Sequence, residues 1–294
     1  FDPVMHFYAN QFIMGKRKTN RWIAQKLRSG EPFMVARFGN TELSVMTSVL
    51  KRRLFGETEV VKARFDKWFK RLMEWSGFFP NDPSLAENFT DLMLEACKQV
   101  DVLAMWHCQM DDYVITEYMP QVKLSFLNYL EPWRCKEPWS AALEGKKVLV
   151  IHPFDESIRS QYERRELLFP GTDVLPRFEL KTLKAVQTIA GEKDDRFATW
   201  FDALDYMYEE AMKIDFDVAI LGCGAYGFPL AARLKAAGKQ AIHMGGVTQI
   251  LFGIKGKRWV ENPRAQLKFN DAWVFPKASE TPARSGDVEG GCYW

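Results

Sequence analysis

A run of six residues in the N-terminal half, Arg37-Phe38-Gly39-Asn40-Thr41-Glu42, combines groups that bind phosphates and metal ions. The planar guanidinium of Arg37 suits paired hydrogen bonds to a phosphate, and Gly39 permits a tight turn. Asn40 and Glu42 offer oxygen atoms two positions apart, which suits a hard divalent cation carrying a diphosphate. The alternative is a plain helix start, with Asn40 as N-cap and Glu42 at the positive end of the helix dipole. The candidate diphosphate contacts here are Arg37, Phe38 and Gly39.

A second candidate is the glycine-rich segment Gly222-Cys223-Gly224-Ala225-Tyr226-Gly227, which has the spacing GxGxxG. Such glycines let backbone N–H groups approach an anion where a helix begins. A dinucleotide site would also need an acidic residue about 20 positions later, and the segment Ile242-His243-Met244-Gly245-Gly246 has none. The pattern therefore favours a phosphate or diphosphate cradle, and the alternative is a turn needed only for packing helix against strand. The candidate contacts are Gly222, Gly224, Tyr226 and Gly227.

The third candidate segment is residues 151–159, which follow an apolar run and contain one histidine and two carboxylates. At the end of a strand, His152 can contact phosphate or move a proton. Asp155 is a candidate base for an acceptor hydroxyl, with Glu156 and His152 as alternatives. Arg159 is a candidate phosphate contact, but it lies one helical turn after Asp155 and can equally pair with it. The carboxylates also suit the beginning of a helix.

The fourth candidate segment begins at His243 and continues into a stretch in which cations alternate with glycine, Gly253-Ile254-Lys255-Gly256-Lys257-Arg258-Trp259. Such a stretch suits a pyrophosphate clamp, with the Trp259 ring available to stack on a base or a sugar. The alternative is a solvated basic loop. The candidate contacts are His243, Gly245, Gly246, Lys255, Lys257 and Arg258.

Each candidate segment follows a short apolar run that predicts a buried strand. The predicted strands are Phe33–Arg37, Val100–Trp106, Lys147–Ile151, Asp217–Leu221 and Gln240–Met244. Their alternation with helical patterns predicts an α/β fold, with a Rossmann-like, mostly parallel sheet covered by helices on both faces. Because ligands of such sheets bind at the carboxyl ends of the strands, we expect the four segments to form one cleft for an anionic ligand.

The domain organisation expected from this pattern is a single α/β domain over residues 1–294. Within it we distinguish an N-terminal half at 1–140, a Rossmann-like C-terminal half at 141–260 and a tail at 261–294. The tail ends in Tyr293 and Trp294, so we expect it to pack back onto the body.

Composition argues against several classes of protein. The net charge of +2 is far below that of typical nucleic-acid-binding proteins. The five cysteines are scattered without a CxxC pair, so neither a zinc ribbon nor a disulfide framework is indicated. The first residues, 1–4, show no leader pattern, and no stretch is long and apolar enough to span a membrane. We expect a cytoplasmic protein, or one attached peripherally at the inner membrane surface.

The run from Arg37 to Glu42 resembles the Arg-[Phe/Tyr]-Gly-Asp-x-Glu signature of the GT-D-fold glycosyltransferases. The stretch Gly238-Lys239-Gln240-Ala241-Ile242-His243-Met244-Gly245-Gly246 is similar to the second half of that family. The resemblance implies a GT-D-like fold and a divalent cation, Mn²⁺ or Mg²⁺, bound with the diphosphate of a nucleotide sugar. Glu42 matches one ligand of the signature. The other ligand, an Asp in the family, is Asn40 here, and an amide brings no charge to the cation.

A second resemblance covers about half of the chain, from His152-Pro153-Phe154 to Gly291-Cys292-Tyr293-Trp294. This part is similar to uncharacterised bacterial proteins of polysaccharide biosynthesis. Together the resemblances imply a glycosyltransferase that moves a sugar from a nucleoside diphosphate sugar to a glycan, lipid-linked or other hydroxyl acceptor in bacterial surface polysaccharide synthesis. The alternatives are an NAD(P)-dependent Rossmann oxidoreductase and a non-catalytic nucleotide-sugar-binding protein.

Overall fold

The computed structural model describes residues 7–262 and 269–294. The expectation about residues 1–4, and the part of the expected tail at 263–268, lie outside the described residues. The helices are α1 (Lys16–Ser29), α2 (Asn40–Phe55), α3 (Glu59–Ser76), α4 (Leu85–Cys97), α5 (Asp111–Tyr118), α6 (Asp155–Tyr162), α7 (Trp200–Met212), α8 (Gly227–Ala236), α9 (Thr248–Leu251) and α10 (Lys257–Val260). The strands are β1 (Phe7–Tyr8), β2 (Gln11–Phe12), β3 (Phe33–Ala36), β4 (Val102–Met105), β5 (Lys123–Phe126), β6 (Lys147–His152), β7 (Glu179–Lys184), β8 (Val218–Leu221) and β9 (Gln240–His243).

Seven of these strands form one sheet in the order β5-β4-β3-β9-β8-β6-β7, and each neighbouring pair is parallel. The α/β fold predicted from the sequence is therefore confirmed. The five predicted strands correspond to β3, β4, β6, β8 and β9, with ends that differ by one or two residues. Strands from the N-terminal and the C-terminal half of the chain take part in the same sheet. Strands β1 and β2 form a separate antiparallel pair.

The sequence pattern missed two strands of this sheet, β5 and β7, which are its edges, and also the short pair β1 and β2. Every residue of β7 is at least partly exposed. An edge strand buries less of its surface, so its sequence mixes polar and apolar residues and lacks the continuous apolar run of a central parallel strand. Strand β5 has only four residues, of which Lys123 is exposed. Its run of buried residues is therefore too short to indicate a strand in the sequence.

Successive side chains of the sheet enter two separate hydrophobic cores because they point alternately to its two faces. On one face Met34 and Leu221 pack with the apolar sides of α2, α3, α4, α5, α7 and α8. On the other face Val35 and Ile220 pack with α1, α6, α9 and Trp259 of α10. The helices thus cover both faces, as the alternation of elements predicted.

The topology places a crevice at the carboxyl ends of four adjacent strands. The chain leaves β3 and β8 into α2 and α8 on the first face, whereas it leaves β6 and β9 into α6 and α9 on the second face. In the order β3-β9-β8-β6 the connections therefore alternate between the two faces. Connections that diverge in this way leave a gap between them, which is where open parallel sheets bind their ligands.

Residues 269–294 lie against the body through buried contacts. The carboxylate of Glu280, which is 3% exposed, accepts hydrogen bonds from the backbone N–H groups of Glu156 and Ser157 at the beginning of α6. Gln249 donates its side-chain amide to the carbonyl oxygen of Tyr293 at 3.1 Å. These contacts bring the end of the chain to the carboxyl edge of the sheet. Within the described residues, no helix is both long enough and apolar enough to cross a bilayer.

Candidate functional site

A cavity of about 370 Å³ occupies the crevice. This volume lies within the range of small-ligand sites. Its walls come from the segments that follow β3, β6, β8 and β9, together with the end of α3, the segment after β7 and the end of the chain. The predicted site residues in the walls are Arg37, Gly39, Asn40, Glu42, His152, Gly222, Gly224, Tyr226, His243, Gly245, Gly246 and Arg258. All four segments singled out in the sequence thus contribute to the same cavity.

Arg37 lines this cavity and comes directly after β3. Its guanidinium lies 5.1 Å from the ring centroid of Trp106. A Cβ atom on Gly245 would lie 3.1 Å from Nη1 of Arg37, so that glycine leaves room for the guanidinium. Burial lowers the pKa of Arg37 and the nearby Glu42 carboxylate raises it, and an arginine remains charged at ordinary pH. Its Nε atom is buried and has no hydrogen-bond partner in the described structure.

The Glu42 carboxylate folds back over the beginning of α2. A Cβ atom on Gly39 would lie 1.8 Å from Oε2 of Glu42, so only glycine leaves space for the carboxylate there. Oε2 also accepts a hydrogen bond from the Thr41 hydroxyl at 2.8 Å, and that hydroxyl lies 2.5 Å from the Ser76 hydroxyl of α3. Glu42 is 7% exposed. These contacts hold a carboxylate in fixed orientation beside the Arg37 cation.

Few side chains of the cavity can coordinate a divalent cation. Glu42 supplies one carboxylate, whose charge Arg37 already offsets. Asn40 is an exposed, uncharged residue at the beginning of α2; the N-cap itself is Gly39. Within residues 7–262 and 269–294, no group of three or more His, Cys, Asp or Glu side chains is arranged to hold a metal ion. The residues present therefore do not fit a preformed divalent-cation site, and the cation implied by the resemblance remains a prediction.

His152 presents a hydrogen-bond donor to the cavity. Its Nδ1 atom accepts a hydrogen bond from the backbone N–H of Phe154 at 3.0 Å, so the ring proton of the neutral form lies on Nε2. Burial lowers the pKa of His152 to about 3, and the ring is neutral at ordinary pH. With Nδ1 occupied, the ring has no free lone pair with which to accept a proton. The geometry thus favours the phosphate contact over the base among the roles predicted for His152.

His243 is also buried and neutral, because burial and the nearby Arg37 lower its pKa to about 3. Its Nδ1 atom is buried and has no hydrogen-bond partner in the described part of the chain. A Cβ atom on Gly227 would lie 2.4 Å from Nε2 of His243. Gly227 therefore allows the beginning of α8 to approach β9, which is the packing role considered as an alternative for the glycine segment.

These two histidines should make the stability of the fold depend on pH. Both have a folded pKa of about 3, below the ordinary value of 6.5. Between these values the unfolded chain binds more protons, so the stabilisation is complete above pH 6.5 and is lost as the pH falls toward 3. Each histidine contributes a slope of up to about 1.4 kcal/mol per pH unit. Urea unfolding of the wild type and His152→Gln at pH 7.5, 6 and 5 measures this slope, which should be shallower in the variant. Equal slopes would contradict a buried neutral His152.

Gly222 and Gly224 allow the turn after β8 to approach the ends of its neighbours. A Cβ atom on Gly222 would lie 2.6 Å from the Thr248 hydroxyl and 2.7 Å from Cδ2 of His152. Gly224 adopts a φ of +57°, which side-chain-bearing residues rarely adopt. Tyr226 is 2% exposed, with its ring stacked on Trp200 at 4.9 Å. Tyr226 therefore anchors the turn to α7 as well as contributing to the cavity wall.

Gly222→Ala is expected to destabilise the protein by about 1–3 kcal/mol, because the methyl group must displace Thr248 and His152 in a packed interior. The control is Gly286→Ala, since a Cβ atom at Gly286 would meet nothing within 4 Å and should leave the stability nearly unchanged. Chemical denaturation of both variants measures the difference. If the two variants were equally stable, the close packing around Gly222 would be refuted.

Six predicted site residues lie outside the cavity walls. Asp155 and Arg159 form an ion pair at 2.5 Å, as the spacing along the helix allowed. Phe38 is buried and stacks on Phe228, and Gly227 packs against His243 as described above. The remaining two are lysines with other contacts: Nζ of Lys255 lies 5.0 Å from the Phe275 ring, and Nζ of Lys257 lies 3.3 Å from the carbonyl oxygen of Gly290.

The remaining cation of that segment, Arg258, does reach the cavity. Its guanidinium forms an ion pair with Glu289 and lies 4.9 Å from the ring centroid of Tyr293. A ligand phosphate would compete with Glu289 for this cation. Tyr293 also lies over Gly246, where a Cβ atom would be 2.5 Å from Cε1 of the ring.

Several residues of the cavity were not among the sequence candidates. They include Trp75 and Ser76 at the end of α3, Trp106 after β4, residues 186–189 after β7, and Val288, Glu289, Tyr293 and Trp294 near the end of the chain. The Trp106 indole donates a hydrogen bond to the carbonyl oxygen of Phe38 at 3.0 Å. Trp106 could have been predicted, because it ends a predicted strand. Trp75 could not, because it lies in the last turn of the long helix α3 and no nearby pattern indicates that this turn reaches the crevice.

Two solved structures resemble this chain. The chain is similar to domain of unknown function 1792. One match, "Selenomethionine substituted structure of domain of unknown function 1792 (DUF1792)", has a TM-score of 0.47, and the other, "The highly conserved domain of unknown function 1792 has a distinct glycosyltransferase fold", has 0.45. Each is 14% identical and covers 91% of this chain and 92% of the other chain. No family model and no curated protein matches the chain.

The second description names the kind of fold that the sequence resemblance implies. A likeness at 14% identity and at these TM-scores concerns the course of the chain and says nothing of donor, acceptor or catalytic groups. Any chemical role of this chain must therefore be inferred from the residues that line its own cavity.

Proposed function

We propose that this chain is a glycosyltransferase that moves a sugar from a nucleoside diphosphate sugar to a hydroxyl group of a glycan. The observation that supports this most is the pairing, in one cavity, of a buried carboxylate, Glu42, with a half-buried cation, Arg37. Such a pair can bind a leaving diphosphate with one group and take the proton of an attacking hydroxyl with the other. In line with the sequence resemblance, we place the reaction in bacterial surface polysaccharide synthesis.

The diphosphate lies beside Arg37 in this proposal. The guanidinium forms paired hydrogen bonds to phosphate oxygens. The first N–H groups of α2 have no acceptor within the helix and lie in the same wall. The Nε2–H of His152 donates a further hydrogen bond, and Arg258 exchanges Glu289 for a phosphate oxygen. These donors stabilise the negative charge that builds on the diphosphate as it leaves.

The base and the sugar of the donor lie against aromatic rings. Trp75 and Trp106 both line the cavity, and Trp106, which is 39% exposed, lies beside the Arg37 guanidinium. Flat rings of this size stack well on nucleobases and on the apolar faces of sugars. Asn40, which is exposed in the same wall, can donate or accept a hydrogen bond without adding charge.

Glu42 is the proposed base for the transfer step. The acceptor oxygen forms a bond to the anomeric carbon, and the bond from that carbon to the diphosphate oxygen breaks, its electron pair leaving with the diphosphate. The hydroxyl proton passes to the Glu42 carboxylate. Two of the three bases predicted from the sequence, Asp155 and Glu156, do not line the cavity, and each has an ion-pair partner, Arg159 and Lys277 respectively.

A thermal-shift panel tests this function without a known acceptor. The ligands are UDP, GDP, CMP, UDP-glucose, GDP-mannose and NAD, each with and without manganese. Binding to the folded state raises the melting temperature by mass action. A shift with one nucleoside diphosphate supports the proposal and identifies the donor class, and a shift that needs manganese would show that Asn40 and Glu42 do hold a cation. A shift with NAD alone would replace the proposal with an oxidoreductase, and no shift with any ligand would remove it.

A further inference from the structure

A second cavity, of about 450 Å³, lies next to the first at the carboxyl end of the edge strand β7. Val186 and Gln187 line both cavities and so form their common wall. Gln187 is partly exposed. A group bound in either cavity can therefore reach the same amide.

The walls of the second cavity carry charged side chains of both signs. Asp194 and Arg196 form a paired interaction, with Nη2 to Oδ2 at 2.6 Å and Nε to Oδ1 at 2.8 Å. The Arg196 guanidinium also lies 5.0 Å from the ring centroid of Tyr206, which projects from α7. Lys184 and Glu192 add one charge of each sign.

The remaining carboxylate of the wall, Glu280, is already occupied, because its oxygens accept hydrogen bonds from the backbone N–H groups at the start of α6. The positive end of the α6 dipole therefore offsets its negative charge, and Glu280 adds little net charge to the cavity. Fixed hydrogen-bonding groups, an aromatic ring and no dominant charge are the features that suit an uncharged carbohydrate, whose hydroxyls need donors and acceptors and whose apolar face needs a ring.

We propose that this second cavity, which the common wall at Val186 and Gln187 joins to the first, is the acceptor subsite and that it binds a neutral glycan. This inference rests on the proposed transferase function. The part of Tyr206 that its contacts with Arg196 and Phe197 leave exposed packs against a sugar ring, and the Asp194–Arg196 pair binds the sugar hydroxyls. Gln187 lies where the acceptor hydroxyl meets the donor sugar.

Saturation-transfer NMR with p-nitrophenyl glycosides of glucose, galactose, N-acetylglucosamine and rhamnose tests the inference directly. We expect at least one glycoside to bind the wild type, and Tyr206→Ala to raise its dissociation constant about 10-fold, as the loss of one ring contact gives. Asp194→Asn keeps the size of the side chain and should weaken binding in the same direction. Both variants should keep the melting-temperature shift that a nucleoside diphosphate causes.

Tyr208→Ala is the matched control, since Tyr208 lies on the same helix, is also partly buried and does not line the second cavity. If no glycoside binds the wild type, or if Tyr206→Ala and Asp194→Asn both bind like the wild type, the second cavity is not an acceptor subsite. Equal loss of binding in Tyr206→Ala and Tyr208→Ala would assign the effect to α7 as a whole and overturn the role of Tyr206. Failure of the proposed function would show separately, as the absence of any shift with nucleoside diphosphates.

Discussion

Glu42→Gln should lower the rate of sugar transfer by about 10²- to 10⁴-fold, the usual contribution of a positioned general base. The glutamine keeps the oxygen that accepts the Thr41 hydroxyl, so the beginning of α2 should stay folded. It cannot take a proton from the acceptor. The affinity for the nucleoside diphosphate should remain or increase, because a negative charge next to the phosphates is removed. Transfer rates and thermal shifts, measured on the same preparation, separate these effects.

The matched control for this variant is Glu156→Gln. Glu156 also lies in the first turn of a helix that follows a strand of the sheet, but its carboxylate pairs with Lys277 outside the cavity. Its substitution should leave transfer nearly unchanged. Wild-type transfer by Glu42→Gln would show that the carboxylate serves only the start of the helix, and a loss in both variants would point to general damage.

Arg37→Ala should raise the dissociation constant of the nucleoside diphosphate by about 10- to 100-fold, since hydrogen bonds to charged groups contribute about 1.5–3 kcal/mol. The dissociation constant of Arg37→Lys should lie between those of the wild type and Arg37→Ala, because an ammonium supplies the charge without the planar fork of the guanidinium. Isothermal titration with the nucleotide identified in the thermal-shift panel measures both values. Circular dichroism should show that the fold is retained, although the Glu42 carboxylate loses its neighbouring cation.

Arg159→Ala is the control for Arg37, because it removes a cation at the same edge of the sheet but outside the cavity. Its guanidinium serves Asp155 and the Thr182 hydroxyl, at 2.5 Å and 2.7 Å. Nucleotide binding should not change in this variant. If both arginine variants weaken nucleotide binding equally, the loss comes from the positive charge removed near the carboxyl ends of the strands. Direct contact between Arg37 and the phosphates would then be contradicted.

The glycine positions illustrate how far a local pattern reaches. The spacing from Gly222 to Gly227 correctly indicated a tight strand-to-helix connection, because backbone freedom and close approach are properties of the residue itself. It did not separate Gly222 and Gly224, which line the cavity, from Gly227, which accommodates His243. That distinction depends on how the neighbouring strand β9 packs against the beginning of α8, which the glycine spacing does not encode.

The two histidines show a similar division. That His152 and His243 end strands followed from the apolar runs before them, and strand ends of a parallel sheet meet at one edge. Whether His152 accepts or donates a proton depends on the Phe154 amide, which engages Nδ1, and on burial, which keeps the ring neutral. Both are consequences of the folded environment and not of the residue type.

By itself the sequence determined the α/β class, the five central strands and the segments that meet at their carboxyl ends. These follow from short-range patterns, since a strand buried on both faces requires a continuous apolar run. Only the tertiary structure decided which side chains of those segments face the ligand. Asp155 and Arg159 pair with each other, Lys255 and Lys257 contact the end of the chain, and Trp75 is returned to the cavity by α3. The lysine contacts and the place of Trp75 depend on residues far apart in the chain, which no local pattern encodes, whereas the Asp155–Arg159 pair is a local contact that the i,i+4 spacing allowed but did not require.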